Sequence, residues 1–359
     1  MTTVKEGPAR QSGNGTIPVV RPQLPRWAPL LVAGWALAVA VLLMIFLGWG
    51  LVGTGATAGL VYLVALPLWS SAVEGGRKAK DRFATGLMWL AFVVAMLPLV
   101  TLVWQVLSNG LPVISGQFLT YNMRNVVGEG GGIYHAIMGT VIITLWATLI
   151  SVPVGVLAAI YLVEYGEEKK LARAVTFLVD VMTGIPSIVA GLFAYALFVI
   201  FFGPGVRMGF GGSVALSVLM IPIVVRATEE MLKLVPNELR EASYALGVPK
   251  WRTVTKVVLP TAMAGIITGV MLAVARVAGE TAPLLIIAGD TDSDNFNAFA
   301  ERMATLPVFI YYSYTQPGVP PEFGQARAWG AALVLITIVM LLNLTARAVS
   351  KYFAPKTGR

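Results

Sequence analysis

The stretch Pro236–Pro260, PNELREASYALGVPKWRTVTKVVLP, is a polar island between two strongly apolar segments. Lysine, arginine and glutamate recur along it, which is typical of a membrane-protein loop facing water on the side where positive charge collects. Residues 238–246 favour a short helix, Gly247 is a helix-stop residue, and Pro249 suits the first turn of a second helix. The pattern therefore predicts a compact helix–turn–helix unit at the membrane surface.

The composition restricts the class of protein to which the chain can belong. Of its 359 residues, 57% are hydrophobic and 12% are charged, which excludes disorder and most soluble folds and indicates a polytopic membrane protein. The absence of cysteine and the single histidine exclude an iron–sulfur cluster, a thiolate metal site and a bis-histidine haem. No lysine follows a glycine, so a Walker A loop is absent and ATP has to be hydrolysed by another chain.

The apolar segments predict an all-α polytopic membrane protein with about eight spans, because each has the length of roughly 20 residues that a bilayer requires. The predicted spans are 27–48, 51–69, 85–107, 134–163, 174–203, 212–233, 261–289 and 328–349.

Positive charge predicts the orientation of these spans. With an even number of spans and the loop 236–260 inside, both termini lie in the cytoplasm. The cytoplasmic segments then hold 20 lysine and arginine residues, against four in the external segments. This topology explains the net charge of +8, so no nucleic-acid partner is expected.

The loop 236–260 resembles the E-A-A loop of ABC-importer permeases. Ser243 and Val257 depart from the family pattern, which has Ala and Ile there, but both replacements keep the side-chain size nearly constant. In that family the loop forms coupling helices that dock into a cleft of the cytoplasmic ATPase; the alternative is an ordinary basic loop. The positions to which the resemblance assigns ATPase coupling are Glu241, Ala242, Ser243, Gly247, Leu259 and Pro260.

Over residues 111–347 the chain resembles the PstA-type permease subunits of bacterial phosphate ABC importers, which are binding-protein-dependent transport permeases. The matching stretches are Leu111-Pro112, 131–133, 135–140, 184–192 and 273–285, of which the last two are the most specific. The family core has six spans. The resemblance marks the hairpin as an addition, and residues 1–26 are rich in Pro, Gly and polar residues. The predicted domains are 1–26 (flexible cytoplasmic tail), 27–84 (additional hairpin and basic loop), 85–350 (permease core with coupling loop 236–260) and 351–359 (basic tail).

The resemblance also implies a function and partners. A permease of this family forms half of the pore for inorganic phosphate with a second, PstC-type permease in the bacterial cytoplasmic membrane. PstB-type ATPase subunits bind ATP and magnesium, and a PstS-type extracytoplasmic protein delivers the phosphate. The chain itself would then be no enzyme and would hold neither a cofactor nor a metal.

Arg276 is the sharpest signal for a transport site. It falls near the middle of the predicted span 261–289, where a charge costs at least roughly 2.5–3.5 kcal/mol. Glu280 follows at i+4, on the face that also holds Gly265 and Gly269. A guanidinium offers paired donors that match phosphate oxygens, and the resemblance places an arginine of phosphate passage here. The alternative is that Arg276 and Glu280 only neutralise each other.

Three further features leave alternatives open. Arg226, beyond Pro222, either snorkels to the surface or lines the pathway, which the resemblance favours. His135 precedes a span near the external surface, so it is predicted to be a hydrated interfacial residue. The acidic loop 290–301 imitates a calcium loop, but Asn295 replaces its essential glycine, so a solvated acidic loop is the preferred interpretation.

Two other functions compete with phosphate import. The first is an ABC permease for another oxyanion such as sulfate or molybdate, since all three are tetrahedral anions. The second is a secondary anion transporter driven by an ion gradient, coupled through intramembrane acidic residues such as Glu280 and Asp180. The second would leave the loop 236–260 unexplained.

Overall fold

The computed structural model describes residues 23–48, 50–167 and 169–353, and every regular element in these ranges is helical. The predicted tails lie almost wholly outside the described residues. The helices are α1 (Ala28–Leu47), α2 (Leu51–Val73), α3 (Gly76–Gly110), α4 (Gly116–Thr120), α5 (Tyr134–Ile160), α6 (Lys170–Thr183), α7 (Ser187–Phe202), α8 (Gly209–Lys233), α9 (Asn237–Ala245), α10 (Lys250–Thr253), α11 (Leu259–Val277), α12 (Ala282–Ile287), α13 (Leu306–Thr315) and α14 (Pro321–Phe353).

In the described part of the chain, seven helical segments are long and apolar enough to cross a membrane, and the bent pair α6–α7 makes an eighth if it counts as one span. The predicted all-α membrane fold with about eight spans is therefore confirmed. The basic stretch 77–82, predicted as part of a loop, is instead the first part of α3, which begins at Gly76.

The predicted span 174–203 is two helices that meet at an angle of 110°. Helix α6 ends at Thr183, and α7 begins at Ser187. Pro186 has no N–H to donate, and its ring disfavours helical backbone at Ile185. The span was predicted as continuous, but the structure has a complete break at this proline.

The predicted span 261–289 is also interrupted, because α11 ends at Val277 and α12 begins at Ala282. Pro283 lies in the first turn of α12, where a missing N–H costs nothing. Glu280 therefore follows the end of α11 in the break. The expectation that it shares one helix face with Arg276 was wrong.

By contacts the chain divides into two compact units, Met1–Leu102 and Val103–Arg359. In the first unit, the buried carboxylate of Glu74 lies between α2 and α3. Arg82 donates to it from Nε at 2.6 Å and Nη2 at 2.9 Å, and Ser70 Oγ donates at 2.7 Å. These bonds, above all those from Arg82, lower the pKa of Glu74 to about 2. The glutamate therefore stays charged and joins the two helices.

The second unit is built around α8, the most buried of the candidate spans. On α8, Ser213 Oγ donates to the carbonyl oxygen of Ile143 at 3.0 Å, and Ser217 Oγ donates to that of Ala147 at 3.4 Å. The equal spacing of donors and acceptors shows that α5 and α8 run in the same direction. Such bonds satisfy hydroxyl groups that no water reaches inside a bundle.

Candidate functional site

The loop unit, residues Pro236–Pro260, contains α9, a turn and α10. The predicted helix–turn–helix is confirmed, with its first helix displaced by one residue and Pro249 directly before α10. Gly247 has a φ of +73°, the left-handed conformation that a helix stop requires. Helix α10 continues through a π-helical turn into α11, so Lys250–Val277 is one segment of 28 residues.

Ser243 joins α9 to α10. Its buried Oγ lies 2.8 Å from Oγ1 of the fully buried Thr253. The serine that departs from the E-A-A pattern thus forms a hydrogen bond that alanine could not form. Of the other predicted coupling residues, Leu259 is half-buried, and the exposed ones are Glu241, Ala242, Gly247 and Pro260.

The loop unit also exposes large apolar side chains. Leu246 is 83% exposed and Trp251 is 58% exposed. Clustered apolar exposure next to charged residues is typical of a surface that binds another protein. The unit therefore has the composition of a docking surface.

Arg240 connects the loop unit to the π-helical turn Tyr161–Tyr165 that follows α5. Its Nε and Nη2 donate to Glu164 Oε1 at 3.1 and 2.9 Å, and its Nη1 and Nη2 donate to the carbonyl oxygens of Val235 and Leu232 at 2.7 and 3.0 Å. The Glu164 side chain is 4% exposed and that of Arg240 is 13% exposed. Sequence reasoning missed this pair, because the two residues lie 76 positions apart and no local pattern links them.

A cavity of about 460 Å³ brings Arg276, Glu280 and Arg226 together. We call it the arginine cavity. Its wall combines the ends of α6 and α11, the start of α7 and the middle of α8. The other lining residues are Met182, Thr183, Ile185, Ser187, Leu219, Pro222, Ile223, Ala227, Glu230 and Val277.

Arg276 forms no direct ion pair with another described residue, although Glu230 and Glu280 also line this cavity. Arg276 is exposed and is the next-to-last residue of α11, where the negative end of the helix dipole favours a cation. Among the described residues no carboxylate oxygen lies within 4.0 Å of its guanidinium nitrogens, and Glu280 is no exception. The direct ion pair that the alternative interpretation requires is therefore not formed in this structure.

Arg226 has two acidic partners. Its Nη1 donates to Glu229 Oε2 at 2.8 Å, and its Nη2 donates to Asp180 Oδ1 on α6. Glu229 also accepts a hydrogen bond from Lys233 Nζ at 2.6 Å. These four groups carry no net charge together. Arg226 thus lines the cavity as a link between α6 and α8, and its charge is already balanced.

The break between α6 and α7 contributes to the same cavity. Helix α7 begins at Ser187, which lines the wall, and the first turn of a helix presents N–H groups and a partial positive charge. On α7, a Cβ at Gly191 would lie 2.6 Å from Cα of Pro283. The two most specific stretches of the resemblance, 184–192 and 273–285, therefore pack against each other beside the cavity.

The structure contradicts the prediction for His135. His135 is 3% exposed, and its ring centroid lies 5.6 Å from that of Phe309, so the expected hydrated position was wrong. The first turn of α5 is covered by α13, which no local pattern indicated. In the acidic loop, Asp294 accepts a hydrogen bond from Asn122 at 2.8 Å. Within the described ranges, no group of three or more His, Cys, Asp or Glu side chains is arranged to hold a metal ion.

The chain is similar to known membrane transport proteins. A family model described as "Binding-protein-dependent transport system inner membrane component" matches residues 151–359. The chain is 46% identical over 286 residues to "Phosphate transport system permease protein PstA 1" of Mycobacterium tuberculosis, which covers 79% of this chain and 91% of the relative. It is 38% identical over 282 residues to "Phosphate transport system permease protein PstA" of Yersinia pestis, with 77% and 92% covered. Among solved structures, an inward-facing methionine ABC transporter is similar over 62% of this chain and 94% of its own, with 21% identity and a TM-score of 0.49.

Proposed function

The chain belongs to the family of binding-protein-dependent transport permeases, and from this membership we propose that it is a PstA-type permease subunit of an ATP-driven importer of inorganic phosphate. Relatives that bear this name match it over about nine-tenths of their length. The observation that carries the proposal is Arg276, an exposed arginine without a direct ion-pair partner among the described residues, in a cavity of a membrane-spanning bundle.

The proposal includes partners that complete the importer. A PstC-type permease forms the other half of the pore, PstB-type subunits bind and hydrolyse ATP with magnesium, and a PstS-type protein delivers phosphate from outside. This chain would carry no catalytic site and no cofactor. The charge bias along the sequence supports a position in the bacterial cytoplasmic membrane with both termini in the cytoplasm.

Arg276 would receive the anion in the arginine cavity. The planar guanidinium can donate two parallel hydrogen bonds to two phosphate oxygens, and the start of α7 adds favourable potential. Glu280 lines the same cavity, and its negative charge opposes the anion. This opposition would keep the affinity low enough for release, which a transport site requires.

The loop unit would couple conformational changes of the ATPase to the arginine cavity. Lys250–Val277 is one helical segment that begins in the loop unit and carries Arg276 near its other end, about 40 Å away at the usual helical rise. Closure of the ATPase pair would move the loop unit and, through this segment, switch the cavity between its outward-open and inward-open states.

Valine at position 247 tests the coupling role. The left-handed backbone at Gly247 strains a β-branched residue, although no heavy atom within 4 Å would obstruct its Cβ. We expect Gly247→Val to distort the turn, and phosphate uptake per ATP hydrolysed to fall about tenfold while membrane insertion is retained. Gly203→Val, at a loop glycine of similar φ outside the loop unit, is the matched control. Normal assembly and uptake by Gly247→Val would refute the coupling role.

Uptake by the reconstituted importer tests the substrate. Vesicles containing both permeases and the ATPase, with the binding protein outside, are supplied with radiolabelled phosphate or sulfate. We expect uptake of phosphate that depends on internal ATP and that excess sulfate does not inhibit. Equal transport of sulfate would indicate another oxyanion permease. Uptake without ATP, driven by an ion gradient, would favour the secondary transporter.

A further inference from the structure

A second cavity, of about 380 Å³, lies at the end of the bundle opposite the loop unit. It is next to the starts of α8 and α14, and that end is predicted to face outside. The cavity collects three arginines, Arg207, Arg302 and Arg327, together with Asp290 and Asp292. Three of the four arginines in the predicted external segments thus converge on one place, although they lie far apart in the sequence.

Backbone hydrogen bonds bring two of these arginines to the same segment, the end of α12. Met208 N donates to the carbonyl oxygen of Ile287 at 2.9 Å, and Met303 N donates to that of Ala288 at 3.1 Å. Arg207 and Arg302 directly precede these two donors, so both are held next to the chain that leaves α12.

The side chains of Arg207 and Arg302 both pack against Gly289. It has a φ of +75°, and a Cβ on it would lie 3.1 Å from Cδ of Arg207 and 3.3 Å from Cδ of Arg302. Both arginine stems thus pass over the same glycine, where a larger residue would separate them.

Two arginines that contact the same glycine and line the same cavity place two positive charges in a small space, which an anion bound there would stabilise. Within the part of the chain that the structure describes, no carboxylate oxygen lies within 4.0 Å of the guanidinium nitrogens of Arg207 or Arg302. Burial raises the pKa of Asp290 to about 6, so this carboxylate loses its charge in mildly acidic surroundings. The cavity then becomes more positive.

Arg327 is fixed at the edge of the cavity. Its Nη1 donates to the carbonyl oxygens of Gly128 and Gly130 at 2.7 and 3.2 Å. Its Nε is buried and has no hydrogen-bond partner among the described residues. A positioned cation with a donor to spare suits an incoming oxyanion.

We propose that Arg207, Arg302 and Arg327 form an outer site for a phosphate group, where free inorganic phosphate released by the binding protein is held before it passes to the arginine cavity. This inference rests on the proposed function, since it concerns the same anion. The two adjacent arginines offer forked donors to a tetrahedral anion, and Arg327 supplies a third, fixed charge. Asp290 and Asp292 weaken the binding and so permit onward movement.

The double variant Arg207→Gln with Arg302→Gln tests the outer site in the reconstituted importer. Uptake is measured against the concentration of phosphate-loaded binding protein, with ATP hydrolysis followed in parallel. We expect the maximal uptake rate to fall about tenfold while the half-saturating concentration of binding protein stays unchanged. Arg124→Gln, at an external arginine outside this cavity, should transport as the wild type does. The double variant Arg207→Lys with Arg302→Lys keeps both charges and should retain part of the rate.

Other outcomes would overturn the outer site. A higher half-saturating concentration with an unchanged maximal rate would mean that the arginines dock the binding protein. A defect seen in vesicles containing phosphatidylglycerol but not in vesicles of phosphatidylcholine alone would mean that they bind a lipid headgroup. Uptake equal to that of Arg124→Gln would remove the site altogether. Failure of the wild-type importer to take up phosphate would instead refute the proposed function.

Discussion

Replacing Arg276 by glutamine is expected to lower ATP-dependent phosphate uptake about tenfold or more, while the complex still assembles and hydrolyses ATP. Glutamine keeps hydrogen-bonding capacity but removes the charge and the fork. A charged hydrogen bond contributes roughly 1.5–3 kcal/mol, and about 1.4 kcal/mol corresponds to a factor of ten. Because no carboxylate is bonded to Arg276, the change leaves no carboxylate without a bonded partner, and the loss should appear in transport and not in folding.

Two further variants sharpen this prediction. Arg276→Lys should keep only part of the rate, because an ammonium group is a point charge without paired planar donors. Arg347→Gln, at an exposed arginine near the end of α14 and outside the cavity, should transport normally. Uptake is normalised to the amount of complex in the membrane. Wild-type uptake by Arg276→Gln would show that the guanidinium does not take part in transport.

Replacing Arg240 by glutamine is expected to have the second large effect, the separation of ATP hydrolysis from uptake. Removing one partner of a buried ion pair costs roughly 3–5 kcal/mol, because the remaining charge loses its compensation. Here Glu164 would remain almost fully buried without its arginine. Helix α9 would also lose its bonds to the turn after α5 and to the carbonyl groups of Leu232 and Val235 at the end of α8, so movement of the loop unit would no longer reach these helices.

The measurement for Arg240 is the number of phosphate ions imported per ATP hydrolysed, together with the melting temperature of the complex. We expect both to fall, the ratio about tenfold. The double variant Glu164→Gln with Arg240→Gln removes both charges, so it should recover much of the melting temperature but not the ratio. Lys170→Gln, an exposed neighbour at the same end of the bundle, is the control. A wild-type ratio in a stable Arg240→Gln complex would refute transmission through this pair.

The features that could be predicted from the sequence are those that depend on residues close together in the chain. The turn at Gly247 and the two helices beside it depend on neighbouring residues, and the spans depend on the length of apolar runs. Arg276 stands out because a charge within such a run is costly. The breaks at 184–186 and 278–281 were harder to place, since each is only a few residues long and interrupts a long, mostly apolar run.

The remaining features depend on contacts between distant parts of the chain. Arg240 and Glu164 form one pair only after α5 and the loop unit fold together. Arg207 and Arg302 become neighbours because two separate segments bond to the end of α12. His135 is buried because α13 covers it. Residue spacing or periodicity in a single sequence cannot predict these long-range contacts.

The central claim, that Arg276 meets the transported anion, is tested most directly by phosphate uptake in the double variant Arg276→Gln with Glu280→Gln. The variant removes both charges, so a complex in which the two residues only neutralise each other should transport normally. We predict uptake at least about tenfold below that of the wild type, in a complex that assembles and hydrolyses ATP at the usual rate. Robust uptake by the double variant would contradict the claim and leave Arg276 as part of the scaffold.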